Sequence, residues 1–125
     1  MIGSTRQVAV HAYAGPVDMR KSFDTLAVIV RRELGRDVLS GDVFVFVGKT
    51  RRRAKVLYWD GTGLCLFSKR LEIGRFAAPW QRPTEGPLRW TMSELSLFLE
   101  GSELVGRMPL SPEPWVPAGR LAQAA

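Results

Sequence analysis

Basic side chains are the residues with the clearest chemical potential in this sequence. Positions 49 to 89 hold ten lysines and arginines but three aspartates and glutamates. The chain has a formal net charge of +6, so its positive excess lies in this middle segment. Clustered cations of this kind are typical of proteins that bind nucleic acid or another polyanion. A solvated basic loop that favours solubility alone is the simpler alternative.

The candidate phosphate-binding cations fall in three short stretches. One is a cationic loop between two predicted strands, and another follows the last of those strands. The third stands at the start of a predicted helix, where free backbone N–H groups and partial positive charge favour an anion. The candidate nucleic-acid-binding residues are Arg20, Lys21, Lys49, Arg51, Arg52, Arg53, Lys55, Lys69, Arg70 and Arg75.

Other kinds of reactive site find little support. The chain has one histidine, His11, and one cysteine, Cys65, so a metal site built on paired histidines or cysteines is excluded. We interpret His11 as a strand residue and Cys65 as a small buried one. A metal-dependent nuclease built from Asp60, Glu72 and Lys69 is the least favoured alternative, because such an enzyme needs converging carboxylates. We expect no catalytic residues, no metal and no cofactor.

A β-meander is predicted at the centre of the chain. Its three apolar runs, Val43–Val47, Val56–Trp59 and Leu64–Phe67, are rich in valine and aromatic residues, which favour strands. Asp60-Gly61-Thr62-Gly63 predicts a hairpin turn between the second and third runs. Both faces of the first run are apolar, so we expect that strand to be covered on each side.

Two more strands and a loop are predicted around the meander. Alternation of residue types indicates a strand at Gln7–Ala14, and Ser68–Phe76 is interpreted as a further strand reached through a basic turn. Ala77–Leu88 contains three prolines and a glycine, which predicts a loop.

Two helices complete the predicted fold. Apolar spacing predicts the first over Asp18–Leu34, with Asp18 as its N-cap. Thr91 and Glu94 form a capping-box pattern that opens a short helix, Met92–Glu100. The fold class is therefore α+β: a small antiparallel meander sheet of about four or five strands, a longer helix packed on one face, and a short C-terminal helix.

The chain length fits one domain with one core. We assign residues 1–106 to that domain and residues 107–125, which are rich in proline and small residues, to a flexible tail. Trp80, Trp90 and Trp115 are candidates for binding a protein partner.

We expect a cytoplasmic protein without a membrane partner. The first residues lack the cationic start and long apolar run of a signal peptide. No apolar stretch in the chain approaches the roughly 18 residues of a spanning helix. A single cysteine fits a reducing compartment.

Several sequence blocks together resemble one protein family. The blocks are Gly15–Ala27, Ser40–Phe46, Lys55–Phe67 and Lys69–Phe76, followed by the region of Trp80. They look like the TnpB accessory protein, the second-reading-frame product, of bacterial insertion sequences of the IS sixty-six type. (The much larger RNA-guided nuclease also called TnpB is not meant.) The resemblance covers about residues 1–101.

The resemblance implies a non-catalytic accessory role in transposition, beside a separate transposase that carries the catalytic acidic residues. It transfers no catalytic residue to this chain. Ser22 and Thr25 stand where the family often has glycine. Two binding roles remain open: an accessory factor that binds DNA, with transposon ends and the transposase as partners, or an adaptor that docks on the transposase without binding DNA. The oligomeric state is left open.

Overall fold

The computed structural model describes residues 8–81 and 88–101. Five strands form one sheet: β1 (Val10–Pro16), β2 (Val43–Val47), β3 (Arg53–Trp59), β4 (Leu64–Arg70) and β5 (Leu88–Trp90). Two α-helices, α1 (Phe23–Glu33) and α2 (Met92–Leu99), accompany it. The predicted tail at 107–125, with Trp115, lies outside the described residues. None of the helices in the described ranges has the length and apolar character needed to span a bilayer.

The sheet has the spatial order β4-β3-β2-β1-β5, with β2 at its centre. On one face, Leu26 and Val30 of α1 pack in a cluster with Phe44. On the other face, Leu95 and Phe98 of α2 join a second cluster. Every residue of β2 is buried, so the prediction that this strand is covered on both sides is confirmed.

The predicted fold class is confirmed: a small α+β fold with a five-stranded sheet, one longer helix and one short C-terminal helix. The meander β2-β3-β4 is antiparallel, as predicted. One pairing adds to the prediction, because β1 lies parallel to β2 and the sheet is therefore mixed. The chain reaches β2 from β1 through α1, and such a crossover is what a parallel pair requires.

The first helix begins later than predicted. Asp18 is not its N-cap; that position is taken by Ser22. The Ser22 N–H donates to Thr25 Oγ1 at 2.9 Å, which satisfies the backbone before the first turn. Asp18 instead accepts from the Arg20 N–H at 2.9 Å, and a side chain bonded to its own backbone in this way favours a turn.

One strand prediction was wrong, and one predicted loop extends a single residue into a strand. Ser68–Phe76 is not a separate strand, because β4 continues through its basic residues to Arg70 and the chain then turns. The predicted loop Ala77–Leu88 ends in a strand, because Leu88 opens β5, which pairs with β1. A strand of three residues is too short to show an alternating pattern in sequence.

Candidate nucleic-acid interface

Two arginines face each other across neighbouring strands. Arg53 of β3 is directly opposite Arg70 of β4, and Lys55 lies two residues along the same face of β3. The adjacent Leu71 N–H donates to the Arg52 carbonyl at 2.9 Å. The arginine pair is therefore of the non-hydrogen-bonded type, in which Cα atoms are about 4.5 Å apart. Like charges directly opposite destabilise a sheet, so this position favours a bound anion.

The segment before α1 lies against this pair. Lys55 Nζ donates to the Lys21 backbone carbonyl at 2.7 Å. Met19 covers Gly48 so closely that a Cβ atom on Gly48 would be 2.7 Å from Met19 Cγ. These contacts place the turn before α1 beside the β2–β3 hairpin. We call the residues assembled there the basic cluster: Lys21, Arg53, Lys55 and Arg70.

Arg20, close to the basic cluster in sequence, already has an anionic partner. Its guanidinium donates to the Asp18 carboxylate through Nε at 3.0 Å and Nη2 at 2.8 Å. These hydrogen bonds hold the pKa of Asp18 well below its usual range and raise the pKa of Arg20. A phosphate would have to compete with this carboxylate for Arg20.

Arg51 has a structural role in the hairpin. Its backbone is left-handed, with φ of 65°, a conformation that costs a non-glycine residue about 1 kcal/mol. Its Nε donates to the Phe76 carbonyl at 2.9 Å, and the Phe76 N–H donates to the Arg51 carbonyl at 2.7 Å. Arg51 therefore joins the hairpin to the chain that follows β4.

Lys69 also has a partner within the fold. Its Nζ donates to the Leu99 carbonyl at 2.7 Å. Leu99 is the last residue of α2, where the free carbonyls and the helix dipole attract a cation. Lys69 points to the α2 side of the sheet, opposite to the basic cluster, since it alternates with Arg70 along β4.

Three further candidates are exposed: Lys49, Arg52 and Arg75. Within residues 8–81 and 88–101 no carboxylate forms an ion pair with them. Arg70 has a carboxylate neighbour, Glu72, at 3.2 Å, but the two side chains are 61% and 76% exposed. An ion pair as exposed as this contributes little, so Arg70 stays available to a ligand.

The tryptophans expected to bind a partner are differently placed. Trp90 is 5% exposed and belongs to the core beside α2, with its ring 5.0 Å from that of Phe98. Trp80 is half-buried and packs against the same core. Trp90 is thus a core residue in this fold, because it occupies an inward-facing position of β5.

The hairpin turn at Asp60 is structural. Asp60 Oδ1 accepts from the Thr62 and Gly63 N–H groups, both at 2.9 Å, and these bonds lower the pKa of Asp60 to about 2. Cys65 Sγ lies 3.5 Å from Asp60 Oδ2. Desolvation and this carboxylate raise the pKa of the half-buried thiol, which opposes the thiolate form that a nucleophile needs. The described ranges contain no group of three or more side chains that could hold a metal ion.

A polar pair that sequence reasoning missed joins β1 to the start of β2. His11 Nε2 lies 3.0 Å from Asp42 Oδ2, and His11 is 4% exposed. The histidine ring stacks on Phe44 at 5.3 Å. Asp42 also accepts from the Ala9 N–H at 3.4 Å. The pair fixes the register of two parallel strands, which no local sequence pattern indicates.

A family comparison now adds to this geometry. The family model described as IS66 Orf2 like protein matches residues 8–108 of the chain. The chain belongs to this family. Membership connects the protein with transposition of IS66-type insertion sequences in an accessory role, and so with the transposition machinery.

Two relatives come from Sinorhizobium fredii. The uncharacterized protein y4hO is 39% identical over 101 residues, which cover 81% of this chain and 86% of the relative. The uncharacterized protein y4jC is 37% identical over 101 residues, which cover 81% and 85%. No solved structure matches the chain.

One departure from the family pattern has a structural explanation in this member. Ser22 and Thr25 replace the glycines that the sequence comparison led us to expect, and they form the hydrogen bond that precedes α1. A glycine at position 25 would lack the hydroxyl that accepts this hydrogen bond, whereas a glycine at position 22 would keep the N–H that donates it. Thr25 therefore stabilises the start of α1, beside the basic cluster.

Proposed function

We propose that this IS66 Orf2-like protein is a DNA-binding accessory factor that holds phosphates of a transposon end in its basic cluster. The observation that carries the proposal is the cross-strand pair Arg53–Arg70, with Lys55 beside it. A cation pair at this spacing weakens the sheet when it is empty. A phosphate between the two guanidiniums would accept charge-assisted hydrogen bonds from both and remove that repulsion.

The exposed cations at the hairpin tip extend this surface. Lys49 and Arg52 lie in the turn that leads into β3, next to the basic cluster. Together with the cluster they provide about six phosphate contacts, which would reduce affinity roughly a thousandfold between 50 and 200 mM salt. Contacts of this type position a protein on a duplex without reading its bases. Sequence preference would then come from the transposase or from DNA shape.

The test is a double substitution at the centre of the cluster. We expect Arg53→Ala/Arg70→Ala to remove two phosphate contacts, and hence to reduce the slope of log K against log salt by about 1.8. Fluorescence anisotropy would measure binding to a duplex from the end of the element and to an unrelated duplex, over a salt series. The unrelated duplex reports whether the protein has any sequence preference of its own.

Arg31→Ala/Arg32→Ala is the matched control. It removes the same charge from two exposed arginines in the last turn of α1, roughly 12 Å along the helix from its start. We expect it to leave the salt slope nearly unchanged. Equal losses for both double variants would mean that net charge alone drives binding and would overturn the assignment of the cluster. No binding by the native protein even at low salt would favour an adaptor that docks on the transposase.

A further inference from the structure

Strand β4 leaves one edge of the described sheet open. The Asp60 N–H donates to the Gly63 carbonyl, and the Leu71 N–H donates to the Arg52 carbonyl. Since hydrogen-bonded pairs alternate along an antiparallel ladder, the odd-numbered residues of β4 bond to β3. The backbone groups of the even-numbered residues point away from the sheet, and these residues are Leu64, Leu66, Ser68 and Arg70. The edge therefore offers about eight donors and acceptors to another strand.

The first five residues of this edge lack the usual protection against strand pairing. The five residues Leu64–Ser68 carry no charge, proline or glycine, and Phe67 is 46% exposed at the centre of the strand. Natural edge strands are commonly blocked by charge, proline, a bulge or very short length. β5, at the opposite edge, has three residues, whereas β4 has seven. β4 is thus built to accept a strand.

We propose that β4 pairs antiparallel with β4 of a second copy of this chain, about a two-fold axis that passes between Phe67 and its equivalent in the second copy. In this register Phe67 lies opposite Phe67 of the second copy. Lys69 then lies opposite Cys65, and Arg70 lies opposite Leu64. Phe67 is the middle residue of β4, so in this register all seven residues of each copy find a partner.

The charges along β4 and the closed symmetry of a two-fold contact both favour a second copy of this chain as the strand that pairs with β4. No cation of β4 lies opposite another cation in this register, and Lys69 faces Cys65, whose Sγ is 3.5 Å from the Asp60 carboxylate. A two-fold contact uses the same edge on both copies and so closes the assembly. The remaining outer edges are the three-residue β5 strands, too short to continue the pairing.

The pairing would also arrange the two basic clusters. Opposed residues of an antiparallel pair lie on the same face, so both copies present α1 and the basic cluster on one side of the joined sheet. Leu64 and Arg70 are six positions apart, so the two Arg70 positions are roughly 20 Å apart along the strands. This inference rests on the strand edge, and it stands whether or not the cluster binds DNA.

Sedimentation equilibrium of the full chain is the first test, and we expect a species of twice the 14.0 kDa chain mass. Ser68→Pro removes an outward N–H that β3 does not use, so it should yield a folded monomer. Ser68→Ala retains that N–H and should stay dimeric. Circular dichroism would verify that each variant is folded. A native chain that is monomeric at about 100 μM, or a dimer that tolerates Ser68→Pro, would overturn the proposal and leave the edge to another protein or another segment.

A cysteine scan tests the register independently of folding effects at Ser68. In a Cys65→Ser background, Phe67→Cys places two thiols in a non-hydrogen-bonded pair with Cα atoms about 4.5 Å apart, within the range of a disulfide. We expect rapid oxidation to a cross-linked dimer. Ile73→Cys is the control, because Ile73 is 83% exposed but lies beyond the paired strand. Equal cross-linking of both variants, or none at Phe67→Cys, would contradict the proposed axis.

Discussion

The contact between Met19 and Gly48 allows a quantitative test of how the basic cluster is positioned. Gly48 follows β2, and its φ is outside the left-handed region, so alanine is conformationally allowed. The added Cβ would nevertheless lie 2.7 Å from Met19 Cγ, about 1 Å inside the usual contact distance of carbon atoms. We expect Gly48→Ala to destabilise the protein by about 1 to 3 kcal/mol, as overpacking does.

Removing Met19 Cγ should cancel the destabilisation caused by Gly48→Ala. Met19→Ala alone should destabilise by about 1 to 2 kcal/mol, less than for a fully buried methionine, because Met19 is half-buried. In that background Met19 Cγ is gone, so Gly48→Ala should cost nothing or stabilise by about 0.5 kcal/mol through a less flexible unfolded chain. The double variant should therefore be more stable than the sum of the single variants by about 1 to 3 kcal/mol.

Urea unfolding at 25 °C, followed by circular dichroism, would provide the four free energies of unfolding. Gly63→Ala is the matched control: Gly63 also lies in a hairpin turn without a left-handed φ, and nothing stands within 4 Å of its Cβ position. It should change the free energy by less than about 0.5 kcal/mol. Additivity of Met19→Ala and Gly48→Ala within about 0.5 kcal/mol would refute the contact as the element that fixes the turn before α1.

Two other predictions concern carboxylates that accept hydrogen bonds within the fold. Asp42→Ala leaves buried His11 without its hydrogen-bond partner, so the free energy of unfolding, measured by urea titration, should fall by about 1 to 3 kcal/mol. A loss below 1 kcal/mol would contradict a structural role for the pair. The pKa of Asp60 is lowered to about 2 in the folded protein, so its stabilising effect is complete above the unfolded pKa near 4 and is lost as the pH falls to about 2. Melting temperatures between pH 5 and 2 should therefore decline less steeply in Asp60→Asn than in the native chain. Equal declines would contradict a stabilising role for the ionised Asp60 side chain.

Local patterns in the sequence were sufficient for several elements. The turn at Asp60–Gly63 forms because one carboxylate satisfies two backbone N–H groups. The capping box of Thr91 and Glu94 starts α2 where predicted, with the two bonds at 3.0 and 2.8 Å. In each case the residues that decide the structure are within three positions of one another. Such interactions can be predicted without knowing the rest of the fold.

Other features depend on competition or on distant residues. Asp18 and Ser22 are both acceptable N-caps by residue type, but Ser22 takes this position and the Asp18 carboxylate accepts from Arg20 instead. From residue type alone, Trp90 fits a surface position that binds a partner as well as it fits the core. The pairing of β5 with β1 places it in the core. The position of Trp90 is set by a tertiary contact that a linear pattern does not contain, whereas residue type alone does not rank the two local N-cap candidates.

The roles of the charged residues in the candidate site were also beyond what sequence patterns could predict. Sequence identifies ten cations but does not separate those that stabilise the fold from those free to bind a ligand. Arg51 and Lys69 each donate to a backbone carbonyl far along the chain, and replacing either would disturb folding before it reported on DNA. Arg53 and Arg70 differ because the β3–β4 register opposes them, so their removal relieves repulsion and breaks only the exposed contact between Arg70 and Glu72. Loss of DNA binding without loss of stability is therefore the signature expected of Arg53 and Arg70. Loss of both is the signature expected at Arg51, at Lys69 and at Lys55, whose Nζ donates to the Lys21 carbonyl.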